Sequence, residues 1–110
     1  MSEVQGREMI RAHMKKQFGL SHEQIDTMLP SFMDTLAGYL KELGTHFAAG
    51  DHGEVGRVAH TTKGALLNLG LHAQAELEKQ IELQAKSGSE LAQLEPEFKK
   101  LKAAIDPLLN

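Results

Sequence analysis

Apolar residues recur along this chain three and four positions apart, and alternation of period two is absent. Valine, isoleucine and aromatic residues are sparse, so the pattern reads as helical throughout. Ile10, Met14 and Phe18 predict a short amphipathic helix from Glu3 to about Gln17, ended by Gly19. Ser21 and Gln24 form a capping box, with Leu20 and Ile25 as its hydrophobic staple, so a second helix begins near His22. Pro30 interrupts it: either the helix kinks there, or one helix ends near Leu29 and another starts at Ser31. Beyond it, Phe32, Leu36, Tyr39 or Leu40, Leu43 and Phe47 mark a long core-facing stripe that stops at Gly50.

Asp51 to Gly70 is the most informative stretch. Asp51 and Glu54 form an N-terminal capping pair and Gly70 is the stop. At about 100° per residue, Val55, Val58, Thr62, Ala65, Leu66 and Leu69 share one face fit for a core. The opposite face carries Gly53, Gly56, Arg57, His60, Lys63, Gly64 and Leu67. Glycine inside an exposed helix costs about 1 kcal/mol relative to alanine. Three of them beside one imidazole suit a surface that something large must approach closely.

After Gly70, Ala73, Leu77 and Ile81 recur at four-residue spacing, with Glu82 and Lys86 as an i,i+4 pair on the wet side. Ser87-Gly88-Ser89 is a break. Leu91, Leu94, Phe98, Leu101, Ile105 and Leu108 follow the spacing of a seam between aligned helices. Pro96 is expected to bend or restart that helix near Glu95, and Pro107 to mark fraying. Four long amphipathic segments with short connections predict an all-α, antiparallel up-down four-helix bundle. The short additional N-terminal helix would lie across one end of the bundle or beside it. Residues 1–110 read as a single domain, with no internal repeat.

Composition narrows the function. There is no cysteine, hence no disulfide framework or thiol chemistry. No apolar run approaches the roughly 20 residues of a membrane span, and the N-terminus has no apolar signal core. A cytoplasmic protein without membrane insertion is the expectation. The net charge of −3 argues against nucleic acid as a partner. Yet Gly56 to Ala75 contains no Asp or Glu, and Arg57 and Lys63 are its only fixed charges, so the local field favours an anion at His60. The other histidines, His13, His22, His46, His52 and His72, form no His-x-x-x-His or Glu-x-x-His pair, which argues against a metal site.

A histidine of ordinary pKa, about 6.5, is mostly neutral at pH 7, and its ring nitrogen is then a nucleophile toward phosphorus. A phosphoryl group there brings roughly two negative charges. Lys63, one turn on, is placed to offset part of that charge. Arg57, one turn back, is placed to do the same or to dock a partner. Gly64 lacks the side chain that would crowd a phosphoryl donor. Leu67 is either a lone surface leucine or part of an apolar docking patch.

Ala59-His60-x-x-Lys63-Gly64, followed by Asn68-Leu69-Gly70, resembles the active helix of histidine-containing phosphotransfer (HPt) domains. It departs from the usual pattern at Thr62, Ala65 and Leu66, none of them the phosphorylated position. The resemblance implies a four-helix bundle and assigns His60 as phosphoryl carrier, Lys63 as charge partner and Gly64 as clearance residue. Arg57, Leu67 and Gly56 are then candidate docking residues, and Asn68 has a structural role. The implied partners are response-regulator receiver domains and a hybrid histidine kinase, served by a monomer. The implied cofactor is Mg²⁺ held by the receiver, with none belonging to this chain. It would be a carrier and not an enzyme, with most catalytic groups supplied by the receiver. Its rivals are a binding module of the same fold that carries no phosphate, and a structural or metal-binding bundle. Which kinase and regulator it serves is not encoded in these motifs.

Overall fold

The computed structural model describes residues 3–88 and 90–109, so Ser89 of the predicted break and the two ends of the predicted domain lie outside the described residues. Within them the chain forms five α-helices and no strand: α1 (Glu3–Phe18), α2 (His22–Ala49), α3 (His52–Asn68), α4 (His72–Lys86) and α5 (Leu91–Leu109). Among the described residues no helix is long and apolar enough to cross a membrane.

The boundaries fall where the sequence supplies partners for the backbone groups that helix ends leave free. Ser21 Oγ accepts from the Gln24 N–H at 3.1 Å, and the Ser21 N–H donates to Gln24 Oε1 at 2.9 Å, which completes the capping box. Gly50 (φ 70°) closes α2, with the Asp51 N–H donating back to the His46 carbonyl at 3.1 Å. Asp51 then caps α3, its Oδ1 accepting from the Glu54 N–H at 3.1 Å. Gly70 (φ 77°) ends that segment in the same left-handed geometry, and the Leu71 N–H reaches the Leu66 carbonyl at 2.9 Å.

α2 runs unbroken through Pro30, which removes the alternative of a helix end near Leu29, and α5 runs through Pro96 and Pro107, with neither the restart near Glu95 nor an end at Pro107. Packing supplies the reason. Ile25, Leu29, Met33, Leu36, Leu40, Leu43 and Phe47 form one buried stripe on both sides of Pro30. Leu108, just past Pro107, is buried, and its carbonyl accepts from Arg7 Nη2 at 3.3 Å. Burial of a large aliphatic side chain contributes about 1.5–3 kcal/mol, so a continuous stripe offsets the roughly 3 kcal/mol cost of one proline. Phe32, expected in the stripe, is exposed, and its neighbour Met33 takes the core position.

α3 packs against α2 and α4, and α5 packs against α4 and α2. Contacts between α3 and α4 descend in register: Gly56 lies against Lys86, and His60 and Lys63 against Glu82. Phe98 of α5 stacks on Phe47 of α2 with ring centroids 4.9 Å apart. α1 packs on α2 and α5. Arg11 Nε meets Asp26 Oδ1 at 2.7 Å, and His13 meets His72 edge-on at 5.6 Å. These contacts set α1 against the beginnings of α2 and α4, and Arg7 ties it to Leu108 near the end of α5. Ile10 and Met14 join the common core there.

The buried face of α4 differs from the predicted one. Ala73 is exposed and Leu77 only half-buried. Gln74, Ala75, Glu78, Ile81, Glu82 and Ala85 are buried instead. Glu82 is therefore not on the wet side. Glu78 is fully buried, and neither of its carboxyl oxygens has a hydrogen-bond partner among the described residues. Burial first, and the charge of Glu82 second, push its carboxyl up to about 8. Its folded-state value lies above its unfolded one. The associated stability is thus complete below the ordinary carboxylate range and is lost as pH rises through about 8. The melting temperature should therefore fall between pH 5 and pH 8. Glu78→Gln keeps the shape of the protonated acid but cannot ionise, so its melting curve should decline less over that range. Identical pH profiles for the two proteins, read by circular dichroism, would show that Glu78 is ionised in the fold.

Candidate functional site

The site is built across the α3–α4 seam. Gln74, Glu78 and Glu82 recur one helical turn apart, so they share one face of α4. Glu82 ends that row against α3, its side chain only 7% exposed. Its carboxylate gathers three donors. Oε1 accepts from Lys63 Nζ at 2.9 Å. Oε2 accepts from Lys86 Nζ at 2.7 Å and lies 2.9 Å from His60 Nδ1. Burial would raise the Glu82 carboxyl, but hydrogen bonds from Lys86, Lys63 and His60 outweigh it and hold it at about 2. Glu82 is thus ionised at neutral pH and can only accept, which makes Nδ1 of a neutral His60 the donor. Nε2, across the ring, keeps its lone pair and has no hydrogen-bond partner among the described residues. The His60 side chain is 64% exposed. An oriented imidazole with a free, outward nitrogen is chemically a nucleophile.

The predicted site residues separate into groups. His60, Lys63 and Gly64 stand together on the accessible part of α3. Gly64 is exposed, and a Cβ there would meet nothing within 4 Å. Leu67 is exposed one turn further on. Arg57 is exposed too, but its guanidinium is turned to Glu54 of its own helix, with Nη2 to Oε2 at 2.8 Å and Nε to Oε2 at 3.0 Å. Gly56 is corrected: it is buried, not outward-facing, because the stem of Lys86 lies over it. A Cβ at Gly56 would come within 3.2 Å of Lys86 Cγ and 3.9 Å of Ala85 Cβ. The acid-free window is corrected as well. It is acid-free along the chain, but in space α4 brings Glu82 against His60.

Glu82 and Lys86 are the members that sequence reading missed. Their i,i+4 pairing was legible. The contact of Glu82 with His60 spans 22 positions, and nothing local announces it. Among the described residues no group of three or more His, Asp or Glu side chains is placed to hold a metal ion.

A family model described as "Hpt domain" matches residues 27–110, about three quarters of the chain. The chain belongs to the Hpt family. Hpt domains are phosphocarrier modules of phosphorelay signalling, and they interact there with receiver domains and kinases. The match begins within the second turn of α2, so α1 lies outside it. No curated protein and no solved structure matches the chain.

The two glycines of this Hpt helix differ in surroundings, and substitution should reveal it. Gly64→Ala should stabilise the fold by about 1 kcal/mol, since the added methyl meets open space. In melting temperature that is roughly 4–8 °C. Gly56→Ala should gain clearly less, because its methyl crowds the Lys86 stem. Equal gains in thermal melts would mean that the stem yields at no cost.

Proposed function

We propose that His60 is the phosphoryl carrier of this Hpt domain, taking the group from a receiver-domain aspartate and passing it to another receiver. The observation that carries this reading is the contact of a buried, ionised Glu82 with Nδ1 of an otherwise exposed ring. In the step, the Nε2 lone pair attacks phosphorus, and the acyl P–O bond breaks with its electron pair returning to the aspartate carboxylate. The neutral ring becomes an imidazolium that keeps its Nδ1 proton, with the dianionic phosphoryl group on Nε2. Glu82 faces that new positive charge, so its attraction grows as the bond forms, which is the differential stabilisation that lowers a barrier. Lys63 offsets part of the phosphoryl charge, and bare Gly64 leaves room for the incoming donor.

The docking face extends along α3 through Leu67, with Arg57 on the other flank. An apolar groove of about 350 Å³, lined by Met14, Phe18, Met28, Phe32 and Asn68 among others, opens two turns beyond His60. It suits a partner that covers the usual ~800 Å² per side. The wider reading is a monomeric, cytoplasmic, single-domain protein folded as an antiparallel up-down four-helix bundle. It acts as a carrier that relies on Mg²⁺ and catalytic groups held by the receiver.

His60→Gln should abolish acceptance from a phosphorylated receiver and leave helical circular dichroism unchanged. Label surviving on another histidine would refute the assignment. Its complete absence from the unsubstituted protein would favour a receiver-binding module that carries no phosphate. Glu82→Gln keeps the shape and removes the charge. It should slow acceptance roughly tenfold, the equivalent of about 1.4 kcal/mol of lost transition-state attraction. An unchanged rate would mean that Glu82 is only structural.

A further inference from the structure

The phosphorylated site needs more positive charge than α3 provides. A phosphoryl group presents three oxygens and roughly two negative charges. Of the two α3 cations, Lys63 is on hand, but Arg57 is held in a two-pronged bond by Glu54. The remaining cation at the site comes from α4. Lys86 Nζ and His60 Nδ1 converge on the same oxygen, Glu82 Oε2, at 2.7 and 2.9 Å. The ammonium is therefore no more than two hydrogen-bond lengths from the ring. Its stem crosses α3 in the space that Gly56 leaves, with Cγ 3.2 Å and Cε 3.7 Å from where a Cβ would stand. A larger residue at position 56 would push the stem away from His60.

We propose that Lys86 is the second cation of the phosphorylated state: seated over Gly56, it exchanges Glu82 for the phosphoryl oxygens once His60 carries the group. This rests on the carrier reading of His60. The charge balance favours the exchange. Before transfer, the ring is neutral and Glu82 Oε2 is shared between a neutral N–H and an ammonium. After transfer, the Nδ1–H belongs to an imidazolium and binds Oε2 more strongly, while a dianion has appeared on the other side of the ring. Lys86 is the lysine free to turn, with a side chain 57% exposed against 25% for Lys63, which stays on Oε1. Lys86 is thus a positioning residue for the phosphoryl group.

The test uses the full chain labelled chemically with phosphoramidate, with His60 verified as the labelled residue by mass spectrometry of its peptide. A nearby cation favours the dianionic phosphoryl group, so its removal raises the pH at which that group titrates. Lys86→Met keeps the stem over Gly56 and removes the charge. The ³¹P titration midpoint of the phosphohistidine should rise by roughly half a unit to one unit, and Lys86→Arg should restore it. A merely structural lysine would not move this readout, and melting curves for the variants check that the fold is retained. A midpoint unchanged in Lys86→Met, with label on His60, overturns the role of Lys86 and leaves the carrier reading standing. Failure of the unsubstituted chain to label at His60 overturns the carrier reading, and this proposal with it.

Discussion

The carboxylate of Glu82 is the point on which this molecule turns. Moving an ion out of water costs several kcal/mol even after the protein relaxes, and only close, well-directed partners offset that cost. Glu82 has them in Lys63, Lys86 and His60, all within 2.9 Å. Charge-assisted hydrogen bonds of this length are the strong ones. They tie α4 to α3 beside His60. Loss of one lysine would leave the acid under-compensated; loss of the acid would leave Lys63 half-buried and unpaired. The cluster is therefore a stability element, and on the proposed carrier reading of His60 it is a chemical device as well.

Glu78, one turn earlier on the same face, shows what happens without partners. Burial raises its carboxyl to about 8, while the three donors hold that of Glu82 at about 2. At neutral pH one is a neutral acid and the other an anion. The difference lies in neighbours, since residue type, helix and face are shared. Each also bears on the other: the negative charge of Glu82 is part of what keeps Glu78 protonated. The α3–α4 seam thus tolerates two acids because only one of them is charged.

This contrast explains which features were legible in the sequence. Helix ends were, since Ser21, Gly50, Asp51 and Gly70 act within a few residues of themselves. Most of the cores of α3 and α5 was, because their apolar spacing is largely regular, though Ala59, off the predicted α3 face, is buried and Ala65, on it, is only half-buried. The prolines were legible only in part: a local rule left a kink or a break open at Pro30, and the stripe of buried side chains on both sides, which carries one helix through it, decides against the break. The face of α4 was misread for a related reason. Charged residues were assigned to water, which is right on average, but Glu82 is compensated by groups on another helix. The shared face of His60, Lys63 and Gly64 was legible because they stand on one helix at helical spacing. Gly56 shared that spacing, and its real neighbour, Lys86, lies 30 positions away.

A phosphoryl carrier faces two opposed demands, and with His60 as the proposed carrier the seam meets both. Its nucleophile must reach into a partner's site, which requires exposure. Its orienting group must be dry, because a water-exposed carboxylate is screened and turns freely. His60 at 64% and Glu82 at 7% exposure satisfy these demands across a single 2.9 Å contact. The ring emerges at the edge of the seam while its Nδ1 side remains inside it. On this reading, reactivity is set from beneath by α4, and partner choice from above by the exposed run of α3 through Gly64 and Leu67. Residues on that run can change, and so alter which receiver docks, without disturbing the carboxylate that orients the ring. A partner contact that displaced Lys86 would cross that boundary, because Lys86 alone among these side chains is both more than half exposed and bonded to Glu82 Oε2 from α4.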